Sequence, residues 1–402
     1  MSDFHQTGVI STLHRFHTNS LDHIEGQLTE FAPQRPISLV IPALYSDVKR
    51  DAMKRIVGDL QHAGYLHQVV ITLCEADRTG FDWTAELLSD LPQKVRIVWN
   101  SGERIRHLQD LLKENGFTIG PAGKGRAVWM ALGYVLAEEE DYLVALHDSD
   151  IITYDREIVA RLCYPIANPD CNYSFCKGYY SRVSDRIYGR ATRLFIGPLL
   201  QAVETTVGHM PLLTYLGSFR YLLAGEFSMT CDLARIMRID ADWGFDFGLL
   251  VDIYRKCSVN RICQVDLADS YDHKHQALSA GKPEAGLFKM SIDITRVLFR
   301  TLASEGVAIS EGFTRSLAAA YLRRAEDTVK KYDDDAAINN LPFDRHEEGR
   351  AVLTFAEGLS IGGESFKGDP LGNPEIPNWT RITSTIPDFL SLLRQSVDED
   401  NQ

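Results

Sequence analysis

Between residues 37 and 150 the chain alternates short, almost wholly apolar runs with longer stretches of helical spacing, and this alternation restricts the fold more than any other feature. Ile37-Ser38-Leu39-Val40-Ile41, stopped by Pro42, reads as a buried strand, as do His67 to Leu73, Lys94 to Trp99 and Tyr142 to Leu146. Between them, Asp47 to Ala63 places Val48, Met53, Ile56, Val57 and Leu60 near helical spacing. Trp83 to Leu91 reads as a short helix and Arg126 to Glu140 as a longer one. Strands and helices in such alternation predict βαβ units around a mainly parallel sheet, the α/β class.

After residue 151 the pattern changes. Asn172 to Cys176 and Ile262 to Leu267 read as strands, and Gly248 to Lys256 as a helix. Arg182 to Val203 has helical spacing, although Gly189 and Pro198 interrupt it. Beyond Gly286 the chain is largely helical, with amphipathic stretches at Leu287 to Ser304 and Thr314 to Tyr332 and a last helix near Ile386 to Val397. A Gly/Pro-rich loop is expected over Gly362 to Pro377, a solvated loop at Asp333-Asp334-Asp335, and one helix around Ile10 to Phe31. The expected organisation is an N-terminal helical arm (1–36), two halves of a catalytic unit (37–150 and 151–285) and a helical C-terminal extension (286–402).

Composition narrows the function classes. The 402 residues carry a formal charge of −13, which disfavours a nucleic-acid or anionic-membrane partner. Seven scattered cysteines, an odd number with no CxxC, suit reduced thiols in a cytoplasm. The start of the chain lacks a cationic segment followed by an apolar core, and the most apolar long segment, Leu212 to Met229, contains Arg220 and Glu226. A cytoplasmic protein is expected.

The chemistry concentrates where the fourth strand ends, at His147-Asp148-Ser149-Asp150. In an open α/β sheet ligands bind at strand ends. Side chains at i and i+2 of extended chain point the same way, so Asp148 and Asp150 can face one divalent cation on a nucleotide's phosphates. The alternative is an ordinary polar turn. Two carboxylates do not fill an octahedron, and His273 or His275, just after the last strand, are the distant candidates to add an imidazole, which tilts the preference from Mg²⁺ to Mn²⁺. Gly120-Pro121-Ala122-Gly123-Lys124-Gly125 is neither GxxxxGK[ST] nor GxGxxG, but it presents Lys124 at a helix N-terminus, a place for an anion or a plain connector. Lys177, Arg182, Arg186, Arg190 and Arg193 face one acid, Asp185, in an otherwise acidic chain. The arginine spacing of 4, 4 and 3 predicts one basic helix face, suited either to a phosphorylated or carboxylated acceptor or to solvent. Glu226, among apolar residues, is a candidate acid/base or hydroxyl-binding group. Asp242, Asp246 and Asp252 are similar but less isolated, and no hydrolase motif is present.

Taken in order, Ile37 to Leu44, Gly123-Lys124-Gly125, Asp148-Ser149-Asp150, Gly189-Arg190-Ala191-Thr192, Gly225-Glu226-Phe227 and His273 resemble the glucosyl-3-phosphoglycerate synthases, retaining glycosyltransferases of the GT-A fold, and the similar mannosyl-3-phosphoglycerate synthases. The likeness spans about 37 to 280. It implies that Pro42, Ala43 and Leu44 line the uridine pocket, with Ser46 where the family has a base-contacting glutamate. It implies that Lys124, Asp148 and Ser149 hold the rest of the nucleotide, and that Asp150 and His273 bind Mg²⁺ or Mn²⁺. Gly189, Arg190, Ala191 and Thr192 would receive the phosphoglycerate, with His275 where members often carry another polar residue, and Glu226 would sit by the donor sugar. The chain departs from the family's PALNEE at Tyr45-Ser46-Asp47 and from GRVT at Ala191.

The expected reaction moves a hexose from a nucleotide-diphosphate sugar to the 2-hydroxyl of 3-phospho-D-glycerate with retention, Asp150 and Glu226 being the catalytic candidates. A mannosyl donor or a glycerate acceptor is the alternative within this chemistry. A sugar-1-phosphate nucleotidylyltransferase or a non-enzymatic scaffold is the alternative outside it. The resemblance also implies a homodimer.

Overall fold

The computed structural model describes Gln6, residues 8–16 and residues 20–402. Its centre is an eight-stranded sheet of β1 (Ser11–Leu13), β2 (Ile37–Leu44), β3 (Gln68–Cys74), β4 (Lys94–Trp99), β5 (Leu143–Leu146), β6 (Phe175–Tyr180), β7 (Phe227–Thr230) and β8 (Ile262–Ala268). The spatial order is β1-β8-β6-β7-β5-β2-β3-β4, and every pairing is parallel except those of β7 with β5 and β6.

The apolar runs of the central strands have a direct cause, since both faces are covered. Val40, Val70, Val98, Val144 and Leu146 point into one core with the helices Glu103–Glu114, Lys124–Glu138 and Phe245–Lys256. Leu39, Ile41, Val69, Ile71, Leu143 and Ala145 point into the other, with Asp51–Leu60, Arg78–Leu88 and Glu157–Ala167. The helix Lys124–Glu138 is apolar on nearly every side because sheet and C-terminal extension enclose it. There Trp129 stacks on Trp379 at 3.9 Å between ring centroids.

Four expectations change. The predicted helix from Ile10 is instead β1, paired with β8, followed by the helix Leu21–Phe31, so residues 1–36 are not simply a helical arm; residues 17–19 lie outside the described residues. Asp333-Asp334-Asp335 lies within the helix Glu311–Ile338. Gly362 and Gly363 continue the helix Arg345–Gly368 rather than opening a loop. A Cβ at Gly358 would fall 2.0 Å from Ser291 Oγ, and one at Gly362 2.9 Å from the carbonyl of Ile292, so these glycines let two helices approach to backbone contact. Finally, Arg182 to Arg190 is a loop closed by a Val183–Ile187 bridge, not a helix face. Gly189 turns the chain at φ +77°, and a π-helical turn begins only at Ala191.

Both edges of the sheet are hydrogen-bonded to side-chain amides. Gln6 accepts from the N–H of Thr12 at 2.6 Å and donates to its carbonyl at 2.7 Å on β1. Asn401 does the same for Ile97 on β4, at 2.9 Å each way. All seven cysteines are free thiols. Among the described residues no helix is long and apolar enough to cross a membrane.

Candidate active site

β2 and β5 stay paired to Val40 and Leu146 and then part, which opens a crevice at their carboxyl ends. Pro42, Ala43 and Leu44 finish β2 on one side, with Ser46 exposed in the helical turn Tyr45–Val48 that follows. On the other side the chain turns at His147, whose imidazole is fully buried and lies 2.9 Å from the carbonyl of Asp148 and 3.3 Å from Tyr154 Oη. Burial pushes that ring down to about 4, so it is a neutral post for the loop and not an acid or base at neutral pH.

The two carboxylates after it have separate environments. Asp148 Oδ1 lies 2.6 Å from Lys124 Nζ at the first turn of Lys124–Glu138. Burial opposes ionisation of Asp148, but the lysine outweighs it and the carboxyl sits below its ordinary value. Lys124 shows the mirror image: burial would lower it, while Asp148 and then Asp246 hold it above its ordinary value. Gly225 makes room for this pair, because a Cβ there would be 2.6 Å from Asp148 Oδ2 and 3.0 Å from Lys124 Nζ. Asp150 has no such cation. Burial, then the charge of Asp148, push it up to about 7, and its buried Oδ1 has no hydrogen-bond partner among the described residues.

His273 stands opposite, Nδ1 4.0 Å from Asp150 Oδ2. Its placement follows from backbone pairing, since Ile151 bridges His273, Ile152 N–H donates to the carbonyl of Asp272 at 2.8 Å, and Asp272 N–H donates to Thr153 Oγ1 at 2.9 Å. Burial, then Arg182, push His273 down to about 4, which leaves a neutral imidazole. A second tie, Lys274 Nζ to Asp47 Oδ1 at 3.1 Å, joins this loop to the helical turn after β2. An orphaned carboxylate oxygen and an unprotonated imidazole fit a divalent cation: two ligands of an octahedral ion at ~2.1 Å lie roughly 3 Å apart when adjacent and 4.2 Å when opposite. No group of three His, Cys, Asp or Glu converges on one point among the described residues.

Glu226, just before β7, is 1% exposed. Its Oε2 accepts from Tyr180 Oη at 2.8 Å and its Oε1 from Tyr271 Oη. Burial, then Asp148, raise its carboxyl above the ordinary value, against the pull of the two phenols. Lys177, on β6, is 1% exposed, and among the described residues neither its amine nor the buried Oδ1 of Asp246 has a hydrogen-bond partner. Sequence reasoning placed Lys177 in a basic stripe and ranked Asp246 low; the tyrosines it missed altogether. A lysine at an inward position of the strand run Phe175–Tyr180 was the one available signal.

Of the predicted acceptor residues, Gly189 and Arg190 end the loop that begins at Arg182, Ala191 and Thr192 open the π-helical turn, and His275 is reached by the loop's Tyr188 and Arg182. Tyr188 stacks on His275 at 4.1 Å, and Arg182 Nη2 lies 3.3 Å from His275 Nδ1. Arg190 binds Glu347 at 3.0 Å and Glu348 at 2.8 Å, and Arg193 also pairs with Glu348. The basic excess therefore has a partner, the start of the helix Arg345–Gly368. In that turn Thr192 Oγ1 is buried without a partner among the described residues. Such turns recur at functional sites.

No protein-family model matches the chain. Among solved structures, it is similar to glucosyl-3-phosphoglycerate synthase from Mycobacterium tuberculosis in complex with Mn²⁺, UDP-glucose and phosphoglyceric acid, at a TM-score of 0.53 and 22% identity over 74% of this chain and 88% of that one. Mannosyl-3-phosphoglycerate synthase from Rubrobacter xylanophilus aligns with a TM-score of 0.52 at 22% identity, over 70% of this chain and 80% of that one. These likenesses show the GT-A fold. The glucosyl-3-phosphoglycerate synthase of Methanococcoides burtonii is 38% identical over 99% of this chain and 98% of its own length. That of Persephonella marina is 41% identical over 100% and 99%. With relatives this similar along their whole length, the chain belongs to the glucosyl-3-phosphoglycerate synthase family and is a glycosyltransferase.

Proposed function

We propose that the chain transfers glucose from a nucleoside-diphosphate sugar, UDP-glucose in the first instance, to the 2-hydroxyl of 3-phospho-D-glycerate with retention at the anomeric carbon. The observation that carries the reading is the pairing of Asp150 with His273 beside the Lys124–Asp148 ion pair, all at the mouth of the β2/β5 crevice. Pro42, Ala43, Leu44 and Ser46 take the uridine, while Asp148, Ser149 and Lys124 take the ribose and diphosphate. Gly189, Arg190, Ala191, Thr192 and His275 take the acceptor. Asp150 and His273 would hold Mg²⁺ or Mn²⁺, which when bound supplies Lewis-acid neutralisation of the leaving diphosphate. The M. tuberculosis structures in complex with Mn²⁺ or Mg²⁺ and UDP support that choice of ion and nucleotide.

The protein's own part is positioning and electrostatics. Glu226 has both oxygens held by phenols, which suits an acceptor for donor-sugar hydroxyls better than a covalent nucleophile. The acceptor hydroxyl therefore attacks from the leaving-group side, and its proton passes to the departing phosphate oxygen. Lys124, kept protonated by Asp148 and Asp246, remains a fixed cation beside the diphosphate.

The test is a matrix of UDP-glucose, GDP-glucose and GDP-mannose against 3-phosphoglycerate and glycerate. Each pair is run with Mg²⁺, Mn²⁺ or EDTA, the anomer is read by NMR, and Asp150→Ala runs alongside wild type. Glucosyl-3-phosphoglycerate formed with retention, lost with EDTA and with Asp150→Ala, is expected. An inverted product, a preferred mannosyl donor or full activity of Asp150→Ala refutes the corresponding part.

A further inference from the structure

The two tyrosines on Glu226 come from different parts of the sheet. Tyr180 ends β6, and Tyr271 follows β8, the parallel neighbour of β6, where the register slips between Tyr179 and Tyr180. Their rings stack 3.7 Å apart and 5° from parallel, and the N–H of Tyr271 donates to the carbonyl of Ser181 at 3.0 Å. Tyr271 is 2% exposed. It stands two residues before His273, and the two rings meet edge-on at 5.8 Å. Its hydroxyl thus holds the carboxylate of Glu226 while its backbone carries the imidazole that faces Asp150. Tyr180 makes an equivalent hydrogen bond to Glu226 from a strand that bears no metal-facing residue.

We propose that Tyr271 is a positioning residue that joins Glu226 to the metal-facing loop, so that the sugar-side carboxylate and His273 are held as one unit. This rests on Asp150 and His273 being the metal pair. Both phenols donate to Glu226, one to each oxygen, and each oxygen keeps a lone pair for a sugar hydroxyl. The carboxylate cannot rotate without breaking both bonds. Losing the Tyr271 hydroxyl removes one of the two bonds on Glu226 together with a side-chain tie on the segment leading to His273, which its backbone pairing still places, whereas losing the Tyr180 hydroxyl removes a bond on Glu226 alone.

Tyr271→Phe and Tyr180→Phe, which each remove one oxygen and keep the stacked rings, separate the two effects. Mn²⁺ binding is measured by calorimetry in the presence of UDP, apart from turnover, and kcat is measured at saturating Mn²⁺. Both variants are expected to lower kcat by about tenfold, the loss of one hydrogen bond to a charged group. Only Tyr271→Phe is expected to weaken Mn²⁺ binding, by up to about tenfold, the lower end of the loss found when a group that orients a metal ligand is removed. Equal Mn²⁺ affinity in the two variants overturns the proposal while leaving the metal pair in place. A wild-type protein that binds no Mn²⁺ overturns both.

Discussion

Replacing Lys177 by methionine separates the charge of this buried side chain from its size. Lys177 is 1% exposed, its amine has no hydrogen-bond partner among the described residues and lies 5.8 Å from the Phe227 ring, and it feels the charges of Asp246, Glu226, Lys124 and Asp148. Burial is the largest influence and pushes it down from 10.5 to about 8, net of the attraction of Asp246 and Glu226. That drop corresponds to ~3 kcal/mol of charging cost in the folded state. The folded value lies below the unfolded one, so the penalty is complete below about pH 8 and fades as pH rises from there towards 10.5. Lys177→Met removes it while keeping the stem's volume. The variant should therefore be more stable than wild type at pH 7, by up to ~3 kcal/mol, and the difference should shrink by ~1 kcal/mol at pH 9. Urea denaturation of both proteins at the two pH values, followed by tryptophan fluorescence, gives the comparison. A variant less stable than wild type at both pH values, or a difference that does not narrow, would show that the ammonium is well partnered and refute the reasoning.

Two further outcomes concern the substrates. Gly225→Ala places a methyl 2.6 Å from Asp148 Oδ2, so it must displace the Lys124–Asp148 pair; donor KM should rise by about tenfold, and an equal rise in acceptor KM would count against it. Arg190→Gln removes the guanidinium now bound to Glu347 and Glu348 without bringing a third carboxylate to them. Acceptor KM should rise by about tenfold or more with donor KM nearly unchanged, and parallel changes would remove Arg190 from the acceptor site.

The parts of this fold legible in the sequence are those where local chemistry and final environment agree. The apolar runs of β2, β3 and β5 reflect cover on both faces; β2 runs three residues past Ile41, through the expected stop at Pro42 to Leu44, whereas β3, β4 and β5 were readable to within a residue. β1 was not, since three residues paired on one edge leave no periodicity. The arginine spacing suggested a helix that the loop closed by Val183 and Ile187 does not form, and nothing local shows that Glu347 and Glu348 arrive from far along the chain to bind Arg190. Gly362 and Gly363 looked like a loop because a glycine's role in close helix packing depends on the partner helix. In the site, Asp148 and Asp150 stood out at the end of an apolar strand, His273 just after the last strand, and Lys124 at a helix N-terminus. Tyr180 and Tyr271 did not, because a tyrosine at a strand end reads as core until a buried carboxylate is found between two of them.

The amides of Gln6 and Asn401 bear on how this molecule can associate. Each presents one acceptor and one donor to the outward N–H and C=O of a mid-strand residue, as the peptide of an adjoining strand would. A β-strand from another molecule would have to displace a side chain that already satisfies both groups, with the helix Phe389–Asp400 also lying along β4. Lateral extension of the sheet is thereby opposed at Thr12 and Ile97, because a new strand would gain no net hydrogen bond at either residue.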